Sequence, residues 1–194
     1  MNFNDFEIKT RIYVNKNKMD ELQSKKKIFG FLQMKLSIKA ITKEFQDSIR
    51  HKLNKKQGIP IIKLAKEWEL NDILNIYNRS FLSSNTPFQK IEIDFLKELY
   101  NIPEISFYIA RYNGVPAGFM ILDFEGDNKE YGFITALGIL PRFQGKRIGT
   151  LLGIQAWNHF KEKNIEELRC EVYFTNQKSI SFLKSLKFEE FAIR

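Results

Sequence analysis

The hydrophobic positions divide the chain at Gly58-Ile59-Pro60. Beyond that point, apolar runs of period two alternate with apolar stripes of period three to four, which predicts interleaved strands and helices. Ile59 to Leu64 reads as a short strand, and Asn71 precedes a helix with the stripe Ile73, Leu74, Tyr77 and Phe81. Ser83 to Pro87 forms a loop, and Ile91 to Leu99 a second helix. Ile105 to Arg111 and Ala117 to Phe124 are strands. The Asn113-Gly114 pair between them signals a hairpin, because type I′ turns need positive φ at both central residues. Asp127-Asn128 turns the chain into the strand Tyr131 to Leu140. A helix from about Gly145 to Lys163, the strand Glu167 to Phe174, a helix from Gln177 to Leu186 and the strand Phe188 to Ile193 complete the order.

The segment before the boundary has its own pattern. Phe6, Ile8, Ile12 and Val14 share one parity and predict a half-buried strand, closed by the turn Asn15-Lys16-Asn17-Lys18. From Ile28 to Ile38 the even positions are Ile28, Gly30, Leu32, Met34, Leu36 and Ile38, which favours a second strand; Met19, Leu22, Phe29 and Leu32 offer a competing helical stripe. Ile38, Ile41, Phe45, Ile49 and Leu53 recur every three or four residues, an amphipathic helix ended by the polar run Asn54 to Gly58. The chain is therefore expected to divide into an N-terminal extension, 1–58, and a second region, 59–194. No internal repeat or low-complexity segment appears.

Composition narrows the class. With 194 residues, 43% hydrophobic and 18 of them Phe, the chain can bury a sizeable core, and wholesale disorder is excluded. One cysteine, Cys170, and two histidines give neither a disulfide framework nor a zinc-like cluster, so no metal is expected. No 18 apolar residues run together, and Met1 to Arg11 lacks an apolar leader core, so the expectation is a soluble cytoplasmic protein without a membrane partner. Residues 1–60 carry 14 Lys/Arg against 6 Asp/Glu and residues 61–194 carry 17 of each, so the whole +8 lies in the first third. That excess reads as a basic arm for an acidic partner or as the solvated face of an added subdomain. The second is favoured, because apolar residues interleave throughout and Lys25-Lys26-Lys27 is the longest basic run. The same facts argue against a nucleic-acid-binding protein.

The chemistry concentrates in Ile139-Leu140-Pro141-Arg142-Phe143-Gln144-Gly145-Lys146-Arg147-Ile148-Gly149-Thr150. A strand stops at a proline, a glycine-containing turn follows, and a long helix opens. The first amides of a helix lack carbonyl partners, and its macrodipole adds roughly half a positive charge, so the junction is suited to an anion such as a diphosphate. Lys146 and Arg147 add formal charge, and Gly145 and Gly149 permit close approach. Neither a P-loop nor a GxGxxG fingerprint is present.

This segment resembles the acyl-CoA signature of the GNAT superfamily of N-acetyltransferases, Gln/Arg-x-x-Gly-x-Gly/Ala after the fourth strand counted from Ile59, here Gln144-Gly145-Lys146-Arg147-Ile148-Gly149. Leu137-Gly138-Ile139-Leu140-Pro141 before it and Leu168-Arg169-Cys170-Glu171-Val172 with Asn176, Ser179, Ile180, Phe182, Leu183, Leu186 and Phe188 after it resemble the flanking blocks. The resemblance implies an α/β (α+β) fold, a mixed, twisted, mostly antiparallel sheet flanked by helices. It also implies an enzyme that moves an acetyl group from acetyl-CoA to a primary amine, whether small molecule, protein N-terminus or lysine. Further implied are pantetheine pairing at Leu137 and Ile139, a diphosphate on Gln144, Gly145, Lys146, Arg147, Ile148, Gly149 and Thr150, a thioester between the fourth and fifth strands, and a cofactor contact at Asn176.

Three positions depart from the family pattern. Arg147 replaces its central glycine, and either the position needs positive φ or it needs only proximity; proximity is favoured. Leu183 stands where a general-acid tyrosine is common, leaving Tyr173 as a substitute. Lys187 replaces the glycine before Phe188, and the chain stops short of the usual seventh strand. One N-terminal strand, Phe6 to Val14 or Ile28 to Ile38, is then expected to fill the vacant place, since open strand edges aggregate; a partner or homodimer surface is the alternative. Candidate bases by element are Glu130 and Glu171, with Asp123 behind them. His159 and Cys170 read as packed residues, and substrate contacts are expected from Ser80 to Phe88. A non-catalytic acyl-CoA-binding module is the rival reading.

Overall fold

In the computed structural model the described residues are 30–51, 58, 60–84 and 86–193; the strand expected over Phe6 to Val14 and its following turn lie outside them. The strands are β1 (Phe31–Ser37), β2 (Ile61–Leu64), β3 (Ser106–Tyr112), β4 (Val115–Glu125), β5 (Tyr131–Ile139), β6 (Glu167–Tyr173) and β7 (Glu189–Ile193). They form one sheet in the order β2-β3-β4-β5-β6-β1-β7, antiparallel throughout except for the parallel pair β5 and β6. The helices are α1 (Lys43–His51), α2 (Leu70–Leu82), α3 (Ile93–Tyr100), α4 (Ile148–Glu162) and α5 (Gln177–Ser185).

Alternation along the strands separates two cores. On one face Met120, Leu122, Ile134, Leu168 and Cys170 pack with Leu152, Trp157 and Phe160 of α4 and with Leu183 of α5. On the other, Phe107, Ile109, Phe119 and Ile121 pack under Ile73, Ile76 and Tyr77 of α2 and Leu96 of α3. In α2 the fully covered positions are Leu70, Ile73, Ile76 and Tyr77, while Leu74 is half-buried, so the inward stripe sits one position round from the expected one. The β3–β4 hairpin turns at Asn113 and Gly114 with φ of 51° and 78°, the positive pair its type demands.

The strand from the basic N-terminal third lies inside the sheet. β1 pairs with β6 from Phe31↔Tyr173 to Ser37↔Glu167, and its other edge takes β7. Met34 and Leu36 enter the α4-side core, so Leu32 belongs to a strand and not to the competing helical stripe. Ile38 leaves the strand as a 3-10 turn, Ile38–Ala40, and the amphipathic helix begins only at Lys43.

Between α5 and β7, Lys187 takes φ 72°. Phe188 N donates to Leu183 O at 3.1 Å and Lys187 N to Lys184 O at 3.0 Å, the two bonds of a Schellman motif, with buried Leu183 and Phe188 in contact with the same core. The position needs a left-handed residue, and here a lysine adopts it.

Candidate active site

The site begins where two strands part. β5 and β6 pair from Gly132↔Leu168 to Ile134↔Cys170 and no further. On its other edge β5 shifts register against β4: Ile121 faces Ala136 and Leu122 faces Ile134, so Thr135 is the extra residue of a bulge. Such a bulge bends the strand and resets its parity. Ile134 accordingly packs in the α4-side core and Ala136 in the α2-side core. Beyond Ile134, β5 leans away from β6 and opens a notch of about 100 Å³, floored by Cys170 and walled by Leu137, Glu171, Tyr173 and Phe182.

The notch joins a cleft of about 690 Å³ that runs along the end of β5 to the start of α4. After Ile139 the chain makes a 3-10 turn over Pro141–Phe143, and Gly145 and Arg147 then both take positive φ, 76° and 61°. These angles break the helical path, so α4 starts at Ile148, three residues later than the periodicity suggested. Arg147 is in the left-handed region, so the position does need positive φ, and the proximity reading is corrected. For a residue with a Cβ that conformation costs about 1–2 kcal/mol. The first helical bond runs from Leu151 N to Arg147 O at 3.1 Å, so the amides of Ile148, Gly149 and Thr150 precede any intrahelical acceptor and face the cleft. Fifteen residues of α4 stand behind them as a dipole.

Glycines set how closely the elements meet. A Cβ on Gly149 would come within 3.0 Å of Ile139 Cδ1 and 3.1 Å of Phe182 Cζ, so its absence lets α4 close onto β5 and α5. A Cβ on Gly138 would run into Ser80 Oγ of α2 and come within 2.5 Å of Phe119 Cε1 of β4, so its absence lets α2 sit tightly over β5. Gln144 donates through Nε2 to Ile139 O at 3.4 Å. Arg147 lines the cleft, but Lys146 turns out of it and places its Nζ 5.2 Å from the Tyr112 ring centroid. The charge expected there from Lys146 is thus directed elsewhere, onto an aromatic face.

On the opposite wall Asn176 caps α5, its Oδ1 accepting from Ser179 N at 3.2 Å. Its Nδ2 donates to Thr86 Oγ1 at 3.0 Å, which ties α5 to the segment after α2. Ser80, Phe81, Ser83, Ser84 and Thr86 line the cleft, so the stretch expected to meet substrate does border it.

Of the carboxylates, Glu171 lines the notch and accepts from Gln33 Nε2 at 3.2 Å. Tyr173 lines it too, and burial raises its phenol above the ordinary value, which keeps it protonated at neutral pH. The structure does not bring Glu130 to them. It lies exposed in the turn before β5, accepts from Asn128 N at 3.3 Å, and stands beyond the paired end of β5 and β6, opposite to the end that opens. Because β5 runs from its paired end toward the notch, a residue at its start lies far from the opening. Asp123 faces Phe133 near that same closed end. His159 is buried against Tyr108, with Nδ1 3.0 Å from the phenolic oxygen. Cys170 sits in the notch floor with burial raising its thiol strongly, so no thiolate forms there. Leu183, in the place of a possible tyrosine acid, is apolar and buried. Phe31 and Gln33 of β1 were not expected here; only the long-range register with β6 reveals them. Among the described residues no group of three or more His, Cys, Asp or Glu could hold a metal ion, and no helix is long and apolar enough to cross a membrane.

A mostly antiparallel sheet splits between its two parallel strands beside the N-terminus of a long helix, the arrangement that the resemblance to acyl-CoA-dependent transferases implies. The family model described as the acetyltransferase (GNAT) family matches residues 70–188, and the chain belongs to that family; it is an N-acetyltransferase. It is 26% identical over 164 residues, 79% of this chain and 72% of the other, to an uncharacterized N-acetyltransferase of Methanocaldococcus jannaschii. A functionally unknown protein from Staphylococcus epidermidis shares the fold at TM-score 0.60 and 16% identity over 93% of this chain, which spans 65% of that one. The aminoglycoside N-acetyltransferase AAC(6')-Iy, solved with a bisubstrate analog, CoA-S-monomethyl-acetylneamine, also shares it, at TM-score 0.60 and 17% identity over 69% of this chain and 93% of the other.

Proposed function

We propose that the chain transfers the acetyl group of acetyl-CoA directly to a primary amine of a small molecule. The observation that carries this reading is the continuity of the 690 Å³ cleft, bordered by the amides that open α4, with the notch where β5 and β6 part. The residues fit the donor. The amides of Ile148, Gly149 and Thr150, with Gln144, Gly145 and the Arg147 guanidinium, would take the diphosphate. The β6-facing edge of β5 at Leu137 and Ile139, beyond the last β5–β6 pair at Ile134, would pair with the pantetheine amides, and Asn176 borders the same path. Acetyl-CoA supplies an acetyl group on a thiol of pKa roughly 8.5, a leaving group that departs without strong acid assistance. The chain supplies the rest. Glu171 takes the proton of the incoming ammonium, freeing the nitrogen lone pair, and the protonated phenol of Tyr173 is the available donor to the departing sulfur.

The binding of CoA and aminoglycoside-type ligands by structural neighbours supports a small-molecule amine over a protein. We read residues 1–58 as an extension that completes the sheet through β1, which leaves 59–194 as the catalytic region. Thermal stabilisation by acetyl-CoA, followed by thiol release with an amine panel, tests the proposal. No stabilisation at millimolar acetyl-CoA would remove it, and stabilisation without thiol release from any amine would favour the non-catalytic module.

A further inference from the structure

The family match begins at residue 70, yet the notch is also walled by β1. In β1, Met34 and Leu36 point to the α4-side core, so Phe31 and Gln33 point to the other face, the one α2 covers further along the sheet. Register then sets them opposite the two chemical groups of β6: Gln33 faces Glu171, and Phe31 faces Tyr173. Gln33 Nε2 donates to Glu171 Oε1 at 3.2 Å, and the Phe31 and Tyr173 rings lie 5.5 Å apart at 56°.

The lining has a definite chemistry. Phe31, Phe81, Tyr173 and Phe182 place aromatic rings around one carboxylate, Glu171. Thr86 and Asn176, which also border the notch, hydrogen-bond to each other. Among the described residues that line notch and cleft, Glu171 is the one acid, against the cations Arg147 and Lys178. In the notch an acceptor with several ammonium groups would meet a single anion, since Arg147 and Lys178 line the donor cleft. A single ammonium on a flat apolar body matches the carboxylate with its charge and the rings with its body.

We propose that β1 selects the acceptor: Phe31, with Tyr173, seats the flat apolar body of a monoamine, and Gln33 is a positioning residue that fixes the Glu171 carboxylate toward the ammonium. This rests on the reading above that the amine reaches the acetyl group from the Glu171 side of the notch. The test uses the full chain, wild type and the variants Phe31→Ala, Phe31→Leu and Gln33→Leu, with phenethylamine, spermidine and kanamycin as probes. Thiol release gives kcat and KM, and thermal shift reads binding of acetyl-CoA and of each amine. Wild type is expected to favour phenethylamine by kcat/KM. Phe31→Leu, which keeps apolar bulk in the strand, and Phe31→Ala each lose about tenfold for phenethylamine, mostly in KM, with the acetyl-CoA shift retained. Gln33→Leu loses about tenfold in kcat while the amine KM stays within twofold, a split that a merely structural defect does not produce. Wild-type preference for spermidine or kanamycin, or an equal loss for all three amines in Phe31→Leu, overturns the proposal. Absence of an acetyl-CoA shift in wild type overturns the donor reading instead; phenethylamine's own stabilisation of wild type, retained or lost in Phe31→Leu, then still decides the role of Phe31.

Discussion

Arg147 holds the left-handed corner of the loop at φ 61° and ψ 13°, so its replacement by glycine should separate fold stability from donor affinity. Glycine occupies that region without the Cβ clash, which relieves about 1–2 kcal/mol of steric cost. Glycine returns part of this, about 0.4–1 kcal/mol, by loosening the unfolded chain. The difference, about 0.5–1 kcal/mol in favour of the variant, is a rise of about 1–4 °C in Tm for a chain of this size. The guanidinium is exposed at the cleft, and its loss removes one screened cation near the diphosphate, at most about 1 kcal/mol, or a two- to fivefold weaker Kd for acetyl-CoA. Arg147→Ala is the control: it loses the same charge but keeps the Cβ, so it should weaken binding without the gain in Tm. Calorimetric unfolding of the three proteins, with acetyl-CoA titration of each, makes the comparison. A Tm for Arg147→Gly equal to or below that of Arg147→Ala would refute the assignment of strain to this corner.

Other perturbations follow from the same packing. Gly138→Ala should destabilise by about 1–3 kcal/mol in urea unfolding, because its methyl group meets Phe119 at 2.5 Å. Glu69, 2% exposed, would be pushed up by burial, but the Lys66 amide at 3.1 Å, Arg111 at 2.9 Å and Lys63 at 3.2 Å outweigh this and hold it below the ordinary carboxylate value. Its contribution to stability is therefore complete above the unfolded carboxylate range and is lost as pH falls through its folded value; Glu69→Gln should flatten the stability profile below about pH 4.5. For His159, burial and then Lys163 lower the imidazole value, so the unfolded chain binds the proton first and stability falls as pH drops below about 6.5. His159→Gln should remove that slope between pH 7.5 and 5.5, as read by urea midpoints. Glu171→Gln should cut kcat by about 10²–10⁴ with the acetyl-CoA thermal shift intact, whereas Glu130→Gln should leave kcat unchanged.

Local patterns made most of the elements readable. Asn113-Gly114 announces its hairpin, and Met34 and Leu36 announce a strand, because one residue type at one spacing dictates the backbone. The strand-to-helix junction at Ile139 to Thr150 was equally legible, since a proline, a glycine-bearing turn and a long apolar helix follow each other directly. What escaped depends on distant pairing. Thr135 carries nothing that marks it as a bulge; its role exists only against β4. The difference between Glu171 and Glu130 appears only once β5 and β6 are known to separate after Ile134 and Cys170. Arg147 and Lys187 concealed two left-handed corners, because the side chain at each position argues against the conformation that the surrounding turn imposes.

The central claim is that the opening of α4 and the free edge of β5 hold the acyl donor, and amide chemical shifts report on both. Titration of the full chain with acetyl-CoA in ¹H–¹⁵N spectra is expected to move Gly145, Ile148, Gly149 and Thr150 most, followed by Leu137 and Ile139, while the turn at Gly126 to Glu130 stays still. Saturable binding that leaves residues 144–150 unmoved, or no binding at millimolar acetyl-CoA, would contradict the account.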